Sequence, residues 1–133
     1  MLVPSINITG GKCAEAIALY QQAFGATIDH ISYEKDAPDF TPTATKDGSA
    51  IMHASITLLG SRLEMSDDDD EVAIRGNVLG LHAYFPTDDD VRHAFDVLKE
   101  SANIEEAPKS EFWSSMYARL IDRYGVIWHL MVG

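Results

Sequence analysis

Apolar and polar positions alternate along this chain in two interleaved rhythms. Residues 2–9 and 26–33 carry the short extended pattern of strands, with Pro4 marking an edge or early strand position. Between them Cys13, Ala16, Ile17, Tyr20 and Phe24 recur at helical spacing, and Gly25 supplies the stop. Residues 34–49 are rich in Asp, Pro, Thr and Gly and read as a loop. Residues 50–66 read as a hairpin turning at Gly60-Ser61, which sets Leu59 opposite Arg62, Leu58 opposite Leu63, Thr57 opposite Glu64 and Ile56 opposite Met65. Side chains alternate across a strand, so Ile56, Leu58, Leu63 and Met65 share one face. His53, Ser55, Thr57, Arg62, Glu64 and Ser66 share the other.

The second half repeats the plan. Leu79 to Pro86 reads as a strand. Thr87 caps a helix whose first turn holds Asp88, Asp89 and Asp90, placed well against the positive end of the helix dipole. Val91, Ala94, Phe95 and Leu98 form its apolar stripe. A weak strand near Asn103–Glu106, a loop through Pro108 to Trp113, and a hairpin of 115–121 with 126–132 around Asp122-Arg123-Tyr124-Gly125 complete the chain. Both halves read strand, helix, strand, strand, strand. The expected fold is therefore α+β: two βαβββ modules forming curved mixed sheets around a cleft, helices on the outer face. The first module covers 1–66, the second 79–133, and the acid-rich 67–78 reads as a solvated linker, since adjacent like charges stay hydrated. An EF-hand reading of that run fails for want of alternating ligands and a central Gly.

Charge narrows the partners. The formal net charge is −11, which argues against nucleic acid and against an anionic membrane surface. The single cysteine, Cys13, allows no internal disulfide and reads as a buried helix-face residue. The opening residues do not read as a signal peptide, and no apolar run approaches the ~20 residues of a membrane span, so the expected location is the cytoplasm.

Strand parity then picks out chemistry. Leu81, Ala83 and Phe85 alternate with His82 and Tyr84, which should face away from the helix. On the last strand His129 is the polar exception between Ile127 and Met131, and Tyr117 and Arg119 share one face of the strand before it. Glu64, His82 and His129 together would make a two-imidazole, one-carboxylate set for a divalent ion with open positions. The same residues also read as hydrogen-bonding groups of a metal-free cleft, or as structural ones, with Glu64 paired to Arg62 or Arg119. His30 and His93 read as surface residues. No Gly-rich loop follows a parallel strand, so no nucleotide cofactor is expected.

Several segments, taken in order, carry a resemblance. They are 16–20 (Ala-Ile-Ala-Leu-Tyr) with Phe24-Gly25, 51–54 (Ile-Met-His-Ala), 63–67 (Leu-Glu-Met-Ser-Asp), Phe112-Trp113, and 122–128 (Asp-Arg-Tyr-Gly-Val-Ile-Trp). Together they resemble the PhnB-like branch of the vicinal oxygen chelate superfamily, which includes glyoxalase I, bleomycin-resistance proteins and extradiol dioxygenases. The resemblance implies a homodimer and a small-molecule ligand. It puts Ser5, Glu64, His82 and His129 at the four positions where metal-using relatives hold ligands, Ser5 departing from the usual His, Gln or Glu. It implies a metal-dependent lyase, isomerase or dioxygenase using Fe, Ni, Zn, Co or Mn, with Glu64 and His129 catalytic. The alternative it implies is a metal-free binding protein of the bleomycin-resistance type. Ser5, Thr57, Tyr84, Trp113 and Arg119 are the residues expected to touch the ligand.

Overall fold

The computed structural model describes residues 1–69 and 72–133. The elements run β1 (Ser5–Ile8), α1 (Cys13–Phe24), β2 (Thr27–Tyr33), β3 (Ile51–Leu58), β4 (Ser61–Asp67), β5 (Leu81–Phe85), α2 (Asp88–Leu98), β6 (Asn103–Glu111), β7 (Ser114–Ile121) and β8 (Ile127–Val132). They build two four-stranded mixed sheets, ordered β1-β4-β3-β2 and β5-β8-β7-β6. The sheets are parallel in the pairs β1–β4 and β5–β8 and antiparallel elsewhere. The two βαβββ modules are thus observed. The chain divides into two compact units, Met1–Gln21 with Ala26–Ala73, and Gln22–Gly25 with Ile74–Gly133.

In the first unit, Ile56, Leu58, Leu63 and Met65 are all buried, the face that strand parity selected, and Ile8 is buried as well. The hairpin register differs from expectation. Leu58 pairs with Ser61 and Thr57 with Arg62, so the two-residue turn is Leu59-Gly60 and Glu64 faces Ser55. Both turn residues take positive φ (49° and 78°), as a type I′ turn requires. Leucine is an uncommon occupant of that position, which is why Gly60-Ser61 looked the better turn. The slip amounts to two residues, so every side chain keeps its face.

The helical stripe of α1 is buried throughout, and Cys13 is fully enclosed. Enclosure pushes its thiol up to about 12, with the Asp67 carboxylate adding to the rise. Asp67 itself departs from the expected linker. It ends β4, its Oδ1 accepts from the Cys13 N–H at the start of α1 (2.9 Å), and its Oδ2 accepts from the Ile51 N–H at the start of β3 (2.8 Å). A carboxylate there answers an orphan donor of the helix and its positive end at once. Of the remaining acid run, Asp70 and Glu71 lie outside the described residues.

In the second unit, α2 packs on the sheet through Val91, Ala94, Phe95 and Leu98, against a face that includes Ala83, Phe85, Trp128 and Leu130. Thr87 caps it, its Oγ1 accepting from the Asp90 N–H at 3.2 Å. Phe24 lies in this unit, with its ring 4.6 Å from Trp128 and 6.0 Å from Phe85. Asp122 is buried and organises the last turn. Its Oδ1 accepts from the Tyr124 and Val126 amides at 2.9 and 3.0 Å, and its Oδ2 from the Trp128 indole at 2.9 Å. The loop expected through Pro108 is strand instead, since β6 continues to Glu111. Pro108 is tolerated because β6 is the edge of its sheet and its register shifts on both sides of that residue. Among the described residues no helix is long and apolar enough to cross a membrane.

Candidate functional site

The parallel pair β1–β4 sets Ser5 in register with Glu64, and β3 sets Ser55 beside Glu64 on the other side. Ser5 is exposed. Glu64 is not idle. Its Oε1 is 2.6 Å from Arg62 Nη2, and its Oε2 touches His53 Nε2 without a hydrogen bond. Arg62 in turn donates Nε–H to the buried Ser55 hydroxyl at 2.9 Å. The Glu64 side chain is only 16% exposed, while those of Arg62 and His53 are about half exposed (51% and 46%). The expected partner Arg62 is therefore found, and Arg119 pairs elsewhere. The His30 ring lies 6.0 Å from that of His53, both on exposed residues. Thr57 donates its hydroxyl to Asp29 at 2.6 Å. Against the loop after β2 sits a groove of about 510 Å³ lined by Glu34, Lys46, Asp47 and the acids 67–69. Lys46 crosses it to Asp69 (3.2 Å) and Glu34 (3.9 Å).

In the second sheet the parallel pair β5–β8 sets His82 in register with His129, and β7 sets Arg119 beside His129. The two imidazole centroids are 4.3 Å apart. His129 Nδ1 is 2.7 Å from the Tyr117 hydroxyl, and the ring's other edge lies against Gly80, where an added Cβ would sit 3.2 Å from Nε2. Burial, then the neighbouring His82 and Arg119, hold the His129 pKa below its ordinary value, so the ring favours its neutral form. Burial likewise raises Tyr117, with Glu106 adding to the effect. Arg119 Nε is 2.6 Å from Glu105 Oε2.

Around the imidazoles runs a row of rings. Phe112 and Trp113 meet edge-on at 4.8 Å, Trp113 meets Tyr117 edge-on at 5.5 Å, and Tyr117 lies 6.1 Å from His129. On the other flank, Tyr84 lies 6.2 Å from His82. Phe112 is 95% exposed, and Trp113 and Tyr84 about half. His93, expected at the surface, is exposed, with Nε2 2.8 Å from the Gln22 carbonyl.

A divalent ion of the kind the resemblance implies needs donors free to point at it. Glu64 Oε1 and His129 Nδ1 are engaged by protein partners. Among the described residues no three His, Cys, Asp or Glu side chains gather into a group that could hold a metal. As arranged, the donors do not fit one. Sequence reasoning missed the His53–Glu64 pair and the ring continuity through Tyr117. The first was hidden by the hairpin register, and the second by a loop expected where β6 runs.

Comparison with known proteins places this geometry. Residues 2–130 match the model of the Glyoxalase/Bleomycin resistance protein/Dioxygenase superfamily. Protein YjdN of Escherichia coli (strain K12) is 29% identical over 132 residues, covering 92% of this chain and 88% of that protein. Among solved structures, protein PA1353 from Pseudomonas aeruginosa superposes with a TM-score of 0.83 at 23% identity, covering 99% of this chain and 96% of that one. The PhnB protein from Bacillus cereus gives 0.77 at 23% identity, covering 99% and 98%. At that identity the two structures share the fold.

Proposed function

This chain belongs to the Glyoxalase/Bleomycin resistance protein/Dioxygenase superfamily, and from that premise we propose that it binds a small oxygenated molecule carrying a flat ring or conjugated group, without a metal. The ligand lies on the face of the second sheet opposite α2. One observation carries the reading: exposed Trp113 and Tyr84 flank three hydrogen-bonding groups, His82, His129 and the Tyr117 hydroxyl, in an unbroken row of rings. Aromatic faces supply stacking energy at little entropic cost, while the polar groups fix orientation. Trp113 and Tyr84 stack on the ligand, and His129, kept neutral, exchanges hydrogen bonds with its oxygens. Arg119, held by Glu105, limits the far side. Ser5 and Thr57 contribute nothing to this reading, since both sit on the first sheet and Thr57 is bonded to Asp29.

Titration with catechol and a panel of hydroxylated heteroaromatics tests it by tryptophan fluorescence. Quenching is expected in the wild type and lost in Trp113→Phe, which leaves the buried Trp128 to report. A silent panel, or quenching that survives Trp113→Phe, sinks the reading.

The in-register imidazoles favour a second reading, a divalent-metal-dependent lyase, isomerase or dioxygenase with His82 and His129 as ligands. Elemental analysis of protein purified without chelator separates the two readings: a stoichiometric ion, absent from His82→Ala and His129→Ala, replaces the first by the second. A cytoplasmic homodimer completes the proposal, and light scattering of the purified chain measures the assembly.

A further inference from the structure

Gly80 ends the connection into β5, the margin strand of the second sheet, which begins at the next residue. A glycine so placed costs backbone entropy on folding and adds no packing. No turn demands it, because its φ is not positive, unlike those of the turn glycines Gly60 and Gly125. What sets it apart is what a side chain there would meet. A Cβ on Gly80 would lie 3.2 Å from His129 Nε2, 3.3 Å from His129 Cδ2 and 3.2 Å from Ile127 Cγ2. Those separations are tighter than an ordinary Cβ contact, so even a methyl group would press on the ring edge. A glycine at a strand often marks a close approach by a ligand or by another backbone.

His129 is held so that this edge is the one left over. Tyr117 takes its Nδ1 at 2.7 Å, and the His82 ring lies 4.3 Å away, centre to centre. The two nitrogens sit on different edges of an imidazole, so fixing Nδ1 on Tyr117 aims Nε2 toward Gly80. Among the described residues none makes a hydrogen bond to Nε2. We propose that Gly80 is a specificity-determining residue of the second-sheet site: its missing side chain opens the Nε2 edge of His129 to a ligand hydroxyl. A hydroxyl both donates and accepts, so it serves either tautomer of the ring. It is also no larger than the methyl group that an alanine would bring. A methyl ether at the same place is bulkier and can only accept. The role of Gly80 rests on the ring-binding reading proposed above for that sheet.

The full chain and Gly80→Ala are compared in two measurements. The first needs no ligand. Diethylpyrocarbonate acylates an accessible neutral imidazole nitrogen, and peptide mass spectrometry reads each histidine separately. His129 is expected to react in the wild type and more slowly in Gly80→Ala, with exposed His30 unchanged. An unreactive His129 in the wild type, or equal rates in the two proteins, overturns the inference. The wild-type result decides even if the variant fails to fold. The second measurement is titration with catechol and with its dimethyl ether, read by tryptophan fluorescence. Catechol is expected to bind about tenfold tighter than the ether in the wild type, as one hydrogen bond gives, and the preference to vanish in Gly80→Ala. Equal binding of the two probes by the wild type, or a preference that survives Gly80→Ala, overturns the inference and leaves the ring-binding reading standing. A wild type silent toward both probes sinks that reading, and the specificity role falls with it. A Gly80→Ala chain that loses stability yet keeps both the reactivity and the preference marks a glycine that only packs against Ile127, and likewise overturns the inference.

Discussion

The first sheet sets Ser5 beside Glu64 on its parallel strand pair, and the second sets His82 beside His129 on the equivalent pair. The third strand adds Ser55 to one row and Arg119 to the other. Backbone, strand order and register repeat, whereas the side-chain physics does not. In the first row a carboxylate sits between a guanidinium and an imidazole. In the second row an imidazole is driven toward neutrality by burial, a second imidazole and a guanidinium. One scaffold thus holds an ionic network and a row of edge-on and tilted rings. What distinguishes them is which charges each neighbour supplies, since fold alone does not decide what a site does.

The two cores offer the hardest test of that equivalence. Ile56 and Leu130 are both fully buried. Truncating either to Ala should cost about 2–5 kcal/mol. Followed by urea denaturation, comparable losses are expected from the two, and a loss in only one would break the parallel. Next come the aspartates that tie each module's loops. Asp122→Ala strands two amides and an indole N–H, and should cost on the order of 3 kcal/mol. Asp67→Ala strands two amides and should cost about 2 kcal/mol. Thermal unfolding orders the pair, and the reverse order would refute the donor count as the cause. Smaller again is the cap: Thr87→Ala should remove about 1 kcal/mol. Its counterpart in α1 is capped by an aspartate 54 residues away, so helix signals in that variant should fall without loss at α1. The smallest effect is pH-dependent. The His129 pKa is lowered by folding, so the unfolded chain binds the proton more readily. Stability should decline as pH falls from the ordinary histidine value through the depressed one, and His129→Gln should flatten that slope.

Parity was legible because a strand has a period of two whatever its neighbours do. Hence the buried Ile56, Leu58, Leu63 and Met65, and the outlying His129, stood out in the bare sequence. Register was not legible, because it hangs on one turn. With Leu59 at positive φ the pairing moves by two residues, and Glu64 gains Ser55 and the diagonal His53 as neighbours. The placement of Asp67 was equally hidden, since its partners Cys13 and Ile51 are distant in sequence and it opens an acid run that looks wholly solvated. Pro108 misled for a different reason, in that a missing amide breaks a central strand but not a marginal one.

Pro108 and the shifting pairing of β6 have an outcome beyond the fold of one molecule. A sheet margin with evenly spaced free amides is a template on which another chain can polymerise. Here one donor is absent and the ladder changes step three times along nine residues. A neighbouring strand finds no continuous track there, so the flank beside the exposed Phe112 and Trp113 is guarded against fibril growth.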